Sequence, residues 1–192
     1  ECDLLFNGNV HGKLVLSTIL RDDLTLVSIT ARNCPSITQV DIKRNFEKLD
    51  FAGCENLASL YIGLYSADSD DEVSHIGTLS IAGCNNLTSF VYPQLCTFDV
   101  IDVSDCIHME TLPINTDYSE VKEIYARNCT SLLSVGGPDV EVCKAQGCTN
   151  LQYYSIKGSV SQEDIEGCNN LLGLSAYGVL SVNLSEKTLL EQ

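Results

Sequence analysis

The stretch Phe46-Glu-Lys-Leu-Asp-Phe-Ala-Gly-Cys-Glu-Asn-Leu-Ala-Ser-Leu60 shows a pattern that most of the chain repeats. Counted from Cys54, apolar residues stand at offsets −8, −5 and −3, and again at +3 and +6. Offsets −5 and −3 lie two residues apart, which is the period of a short β-strand with one buried face. The stretch therefore predicts a short strand that ends in a turn at the cysteine.

The same frame returns around seven of the ten cysteines, with separations of 20, 30, 22, 23, 19 and 20 residues. Equivalent thiols at one repeat position indicate small buried groups near a backbone partner rather than disulfide bridges. The repeated cysteines are Cys34, Cys54, Cys84, Cys106, Cys129, Cys148 and Cys168.

Polar or flexible residues surround each repeated cysteine. The residue before it is always Gly, Asn or Asp, the types that tolerate positive φ, so we expect a sharp turn there. Two positions after it the chain mostly carries a short side chain able to bond the backbone of a turn, for which we expect a structural role. The preceding residues are Asn33, Gly53, Gly83, Asp105, Asn128, Gly147 and Gly167. The following ones are Ser36, Asn56, Asn86, His108, Ser131, Asn150 and Asn170.

The frame L-x-x-L-x-L-x-x-C-x-x-L-x-x-L, over about residues 26–190, resembles the leucine-rich repeat in its short, cysteine-containing variety. The Cys-Asn-Asn-Leu runs at 84–87 and 168–171 are similar to repeats of bacterial secreted or surface leucine-rich repeat proteins. The run 106–113 is similar to the repeat region of plant intracellular immune receptors. The resemblance implies a leucine-rich repeat solenoid, an α/β-class right-handed superhelix with one short parallel strand per repeat.

Repeats of about 20 residues leave little room for a helix on the return path, so we expect its convex side to be mostly 3₁₀ and extended. We predict a single leucine-rich repeat domain over residues 1–192. Its parts are an N-terminal cap region (1–25), seven cysteine repeats (26–178) and a C-terminal partial repeat or cap (179–192), where Lys187 replaces the cysteine.

Two places depart from the frame. The acidic insertion 66–72 lies between Cys54 and Cys84, and we interpret it as a solvated loop rather than a calcium site because the EF-hand spacing is missing. Glu163 occupies an apolar offset before Cys168. Either the strand is locally shifted there, or the edge of that repeat is loose.

The formal charge of −15 and the pI near 4.3 disfavour nucleic acid and anionic membrane surfaces, which would be repelled. No apolar run approaches the length of about 18 residues that crosses a bilayer, so we expect no membrane insertion. The resemblance implies a secreted or cell-surface location. The redox compartment stays open, as does whether Cys2, which lies outside the repeats like Cys96, is paired, lipid-modified or unmodified.

Catalytic residues do not converge in this sequence. His11, His75 and His108 fall in different repeats, and residues far apart along a solenoid are far apart in space. Buried thiols are unreactive, and the chain has no CxxC zinc spacing. We therefore predict that the chain is not an enzyme and holds no cofactor or metal.

Side chains at offsets −6, −4 and −2 alternate with the buried ones and are predicted to face the concave surface. This polar surface predicts a non-enzymatic binding scaffold for protein–protein recognition. A glycan is the alternative ligand, and we expect the chain to be a monomer. The alternative is a structural spacer or surface-array segment with no specific ligand. Tyr125, between Glu123 and Arg127, is the best candidate anchor. The candidate binding residues are Arg32, Lys48, Asp50, Asp102, Glu123, Tyr125, Arg127, Lys144 and Asp164.

Overall fold

A computed structural model describes residues 2–5, 12–15, 26–42, 46–62, 74–91, 96–112, 120–177 and 182–183. These residues form fifteen short β-strands and one 3₁₀ helix, η1, at Gln162–Ile165. The strands are β1 Cys2–Leu5, β2 Gly12–Val15, β3 Leu26–Thr30, β4 Ile37–Ile42, β5 Phe46–Asp50, β6 Ser59–Ile62, β7 Ser74–Ser80, β8 Cys96–Asp102, β9 Val121–Tyr125, β10 Ser134–Gly136, β11 Val142–Lys144, β12 Tyr153–Lys157, β13 Val160–Ser161, β14 Gly173–Tyr177 and β15 Val182–Asn183.

Seven successive turns of the chain each contribute one strand to a parallel sheet in the order β1-β3-β5-β7-β8-β9-β11. From β3 onward the residues at offset −5 lie directly opposite one another, as Leu49 does with Leu79 and Ile101 does with Ile124. Parallel pairing of successive turns in one register is the arrangement of a β-solenoid, so the predicted solenoid fold is confirmed. The apolar residues of the repeat frame fill its interior.

The turn before each repeated cysteine has the predicted backbone. All seven preceding residues adopt positive φ, between 52° at Asn33 and 81° at Gly167. At Gly53 an added Cβ would lie 2.1 Å from the Oδ1 atom of Asn33 in the preceding turn, so the Asn33 side chain would have to move. The sheet continues through these corners, since amides at offsets −3 and −1 donate to carbonyls of the next turn at 2.7–2.8 Å.

The repeated cysteines form a single buried column inside the solenoid. From Cys54 onward each Sγ donates to the carbonyl at offset −3 of the preceding turn, at distances from 2.8 Å for Cys148 to 3.3 Å for Cys84. The nine cysteines whose side chains are described are buried thiols that belong to no disulfide. The prediction of inward thiols with backbone partners is confirmed for the seven repeated cysteines; the side chain of Cys2 lies outside the described residues.

Side chains two positions after the cysteines also connect neighbouring turns. The Nδ2 atoms of Asn56 and Asn170 donate to Pro35 and Thr149 of the preceding turn, both at 2.8 Å. The ring of His108 contacts the carbonyl of Asn85 at 2.6 Å. Their role is structural, as expected, but the bonds run between turns rather than within a local Asx turn.

The described part of the return side of the solenoid is extended, as expected. Several repeats carry a second strand there, whereas one strand per repeat was predicted. The return segments pair as further parallel sheets, β2-β4-β6 and β10-β12-β14. In these sheets the residues at offset +6 are opposite one another, as Val40 is with Leu60. Because the return segments stack at the same spacing as the strands, their amides and carbonyls meet those of the next turn and pair. No α-helix occurs in the part of the chain that the structure describes.

The segment around Glu163 replaces a strand with η1. Ile165 is buried at offset −3, whereas Glu163 is exposed and its −5 position holds no core residue. The carboxylate of Asp164 turns back to accept from the amide and the hydroxyl of Ser161, both at 2.8 Å. The shift that the sequence left open is therefore a local 3₁₀ turn. The insertion 66–72, Lys187 and most of both caps lie outside the described residues, and the division of residues 1–192 into caps and repeats stays a prediction.

Candidate binding face

The solvent-facing side of the seven-stranded sheet, here called the sheet face, carries the side chains at offsets −6, −4 and −2. Strand pairing arranges them in rows that run across the turns. One row contains Thr78, Val100, Glu123 and Val142, and the next contains Ser80, Asp102, Tyr125 and Lys144. Within these rows, residues from distant parts of the sequence lie side by side, and their individual environments differ.

At the N-terminal flank of the sheet face, three of the predicted residues form one compact group. The Asp50 side chain is fully buried, and its Oδ2 atom lies 2.7 Å from Arg32 Nε and 3.3 Å from Lys48 Nζ. Its Oδ1 atom accepts from the Ala52 amide at 3.3 Å. The prediction that Asp50 faces solvent is therefore wrong, because two cationic side chains cover it. Arg32 and Lys48 are the accessible members of the group.

The C-terminal flank has a similar arrangement. Lys144 forms an ion pair with Asp164, whose carboxylate also accepts from Ser161. Burial opposes ionisation of Asp164, but these donors outweigh it and hold the pKa of its carboxyl below the usual range. Asp164 is buried and thus also departs from the predicted exposure, while Lys144 is half-buried.

The centre of the sheet face, on β8, β9 and β11, is arranged differently. Here Tyr125 donates its hydroxyl to Glu123 Oε2 at 2.9 Å, and the Arg127 guanidinium lies 5.3 Å from the centre of its ring. The bond to Glu123, and then burial, raise the pKa of Tyr125. Asp102 lies opposite Tyr125 on the adjacent strand and accepts from the Ser104 amide at 3.0 Å.

Neither central carboxylate is neutralised. Within the described part of the chain no lysine, arginine or histidine forms an ion pair with Asp102 or Glu123. The nearby Arg127 instead donates from Nε to Gln146 Oε1 at 3.2 Å. We call the set Val100, Asp102, Glu123, Tyr125, Arg127 and Val142 the central patch.

A histidine group that sequence reasoning missed lies at the start of β7 and β8. The Nδ1 atom of His75 is 2.9 Å from Thr97 Oγ1, and its Nε2 atom is 3.5 Å from Asp99 Oδ2. Thr97 and Asp99 stand at offsets −9 and −7 from Cys106, which lie outside the repeat frame. The signal in the sequence was this pair of polar residues, two positions apart, together with a histidine one strand earlier.

The hydroxyl, imidazole and carboxylate of this group superficially resemble a nucleophile, base and orienting acid. Lys122 Nζ lies 2.6 Å from Asp99 Oδ1, and this hydrogen bond is the main reason why the pKa of Asp99 is lowered. A carboxylate already paired with lysine supports an imidazolium weakly, and His75 and Asp99 are 52% and 42% exposed on an open strand surface. We therefore interpret the group as a cross-strand polar network.

The interior thiols are poorly suited to chemistry. Burial raises the pKa of Cys54 to about 11 and those of Cys106 and Cys168 to about 12. Since the thiolate is the reactive form, these groups stay protonated and inert near neutral pH. Among the described residues no group of three or more histidine, cysteine or acidic side chains is placed to hold a metal ion. In the same part of the chain no helix has the length and apolar character needed to span a bilayer.

The fold and the repeat frame together define a class: a repetitive parallel β-solenoid. No protein-family model matches the sequence, and no curated protein matches it either. Among solved structures, the chain is similar to a leucine-rich cell surface protein from Faecalibacterium prausnitzii A2-165, at 13% identity and a TM-score of 0.46. The match covers 92% of this chain and 60% of that protein, so the chain spans less than two thirds of its length.

Proposed function

We propose that this chain is a non-enzymatic binding protein whose sheet face recognises another protein, with Tyr125 as the anchor of the contact. The observation that carries the proposal is the central patch, where a tyrosine is held by Glu123 and Arg127 while two carboxylates have no cationic partner among the described residues. Tyrosine and arginine are enriched among the residues that dominate binding energy at protein interfaces.

Pre-organisation supports the central patch as a recognition surface. The Tyr125 side chain is fixed on both sides by its hydrogen bond and by the Arg127 guanidinium, so little side-chain entropy would be lost when a partner covers it. The strands beneath are joined by a continuous ladder of backbone bonds, which gives the face a rigid base.

We propose that the chain works as a monomer at the cell surface or outside the cell, as the repeat pattern implies. A glycan is the alternative ligand, and a spacer or surface-array segment without a specific ligand is the alternative role. A spacer requires no difference between its two sides, whereas the binding proposal requires that partners contact the sheet face and not the return side.

Site-specific photo-crosslinking tests the proposal in the cells that make the protein. A photoreactive amino acid replaces Val142 in the central patch, and a matched variant carries it at Leu133, an exposed residue (44%) of the return side. We expect one protein to be crosslinked from position 142 and not from 133, and we expect Tyr125→Ala to remove that product. Equal crosslinking from both positions, or products that ignore Tyr125→Ala, would contradict the binding role.

A further inference from the structure

We infer that the partner presents a lysine or arginine side chain to the central patch, where its charge lies between Asp102 and Glu123. The inference rests on the proposed function and adds the chemistry of the partner, a polypeptide segment with a cationic residue beside apolar ones. It follows from three features of the described residues: the free carboxylate oxygens, the unequal charge compensation across the sheet face, and the apolar contacts beside them.

The two carboxylates are close and only partly used. Asp102 and Glu123 stand on adjacent strands, in neighbouring rows, and adjacent strands lie about 4.8 Å apart. Asp102 Oδ1 accepts from Ser104, and Glu123 Oε2 accepts from Tyr125. The second oxygen of each carboxylate has no hydrogen-bond partner within the described part of the chain. A single ammonium or guanidinium group offers several donors and can satisfy both.

Charge compensation across the sheet face is uneven in a way that selects a cation. Asp50 at one flank and Asp164 at the other are already paired with the chain's own lysine and arginine side chains. The central carboxylates are not paired with a cation of the described residues, although Arg127 lies nearby, two residues beyond the end of β9. Complementary charge at an interface favours a basic partner and rejects an acidic one. The net charge of −15 attracts the same partner at longer range.

The apolar surroundings suit the stem of such a side chain. Val100 and Val142 lie opposite Glu123 on either side, and both are partly exposed. The methylene groups of lysine or arginine can pack on these valines while the charge reaches the carboxylates. One face of the Tyr125 ring is covered by Arg127, so the ring offers less of the open stacking surface that a sugar would use. These contacts favour a polypeptide over a glycan.

Peptide display on the intact 192-residue chain tests the inference. A library of random 12-residue peptides is selected against the native protein, and peptides retained by Tyr125→Ala are removed. We expect the survivors to be enriched in a lysine or arginine next to an aliphatic or aromatic residue. Asp102→Asn and Glu123→Gln keep an oxygen for the Ser104 amide and the Tyr125 hydroxyl, so the fold is left intact. Each should weaken the selected peptides by about tenfold, as expected for loss of one close charge pair.

The matched control is Glu110→Gln, which removes the same charge from an exposed residue outside the sheet face and should leave affinity unchanged. If the survivors depend on Tyr125 but carry no cationic residue, or bind Asp102→Asn and Glu123→Gln as tightly as the native chain, this inference is wrong and the proposed function stands. If no peptide depends on Tyr125, or glycans alone do, both fail. Equal weakening by Glu110→Gln would show that net charge alone drives binding, which also overturns the inference.

Discussion

The flanks and the centre of the sheet face are built on the same solenoid interior, yet they use charge in opposite ways. At the flanks Asp50 and Asp164 are buried beneath basic side chains, and their ion pairs connect neighbouring turns. At the centre Asp102 and Glu123 are partly exposed and have no cationic partner among the described residues. The comparison teaches that a repeat position with one residue type can be structural in one turn and available for recognition in another.

The largest effect is expected on the pH dependence of stability, which comes from the interior that the flanks and the centre share. Cys54 and Cys168 lie toward the two ends and Cys106 lies at the centre, and burial raises the pKa of all three above the unfolded value of 9.0. Above pH 9 the unfolded chain loses thiol protons that the folded chain keeps. Stability therefore falls with rising pH, by about 1.4 kcal/mol per pH unit and thiol until the folded pKa of about 11 to 12 is reached.

Urea denaturation under reducing conditions, from pH 8 to 10.5, measures this slope. Cys54→Ser, Cys106→Ser and Cys168→Ser each remove one ionisation while retaining a donor for the carbonyl, so each should reduce the slope by a similar share. A reduction confined to Cys106→Ser would mean that centre and flanks do not share one interior.

A smaller effect should separate flank from centre by stability alone. Lys144→Met leaves the buried carboxylate of Asp164 without its cation, and we expect a loss of about 2–3 kcal/mol, less than for a fully buried pair because Lys144 is partly in water. The matched control is Lys122→Met, which breaks the exposed pair with Asp99 and should leave the urea midpoint unchanged. Similar midpoints for both variants would contradict the assignment of Asp164 and Lys144 to the structure.

The smallest effect is expected at the central patch itself. Tyr125→Phe removes the bond to Glu123 but keeps the ring beside Arg127, and Asp102→Asn keeps an acceptor for Ser104. Both should change the free energy of unfolding by no more than about 0.5 kcal/mol, as surface substitutions usually do. A loss of stability as large as that of Lys144→Met would place the centre in the same structural class as the flanks.

Features set by the repeat itself were readable from the sequence. The spacing of apolar residues predicted the buried rows, and the restriction to Gly, Asn and Asp predicted the positive φ at every corner. The recurrent thiols predicted the interior column, because an identical small group at an identical position has an identical environment in a solenoid. The sheet face was predicted as a set of residues for the same reason.

Features that depend on contacts between particular side chains were not readable. Burial of Asp50 requires both Arg32 and Lys48 to fold over it, and only their combined geometry shows this. The strand pairing of the return side has no clear periodic signal, because its outward residues include exposed apolar ones such as Tyr61 and Tyr153. The 3₁₀ turn at η1 arises from the bond between Asp164 and Ser161, which competes with strand formation.

The thiol-to-carbonyl bond has a consequence for how such a chain can change. Each junction between neighbouring turns repeats the same contacts, from the backbone ladder through the corner to the cysteine, irrespective of which residues point outward. A whole turn, such as residues 130–148 between two equivalent cysteines, is therefore an interchangeable unit that can be removed, duplicated or replaced without altering the frame of its neighbours. The outward-facing residues that would contact a partner can consequently change one turn at a time, while the interior that supports them stays the same.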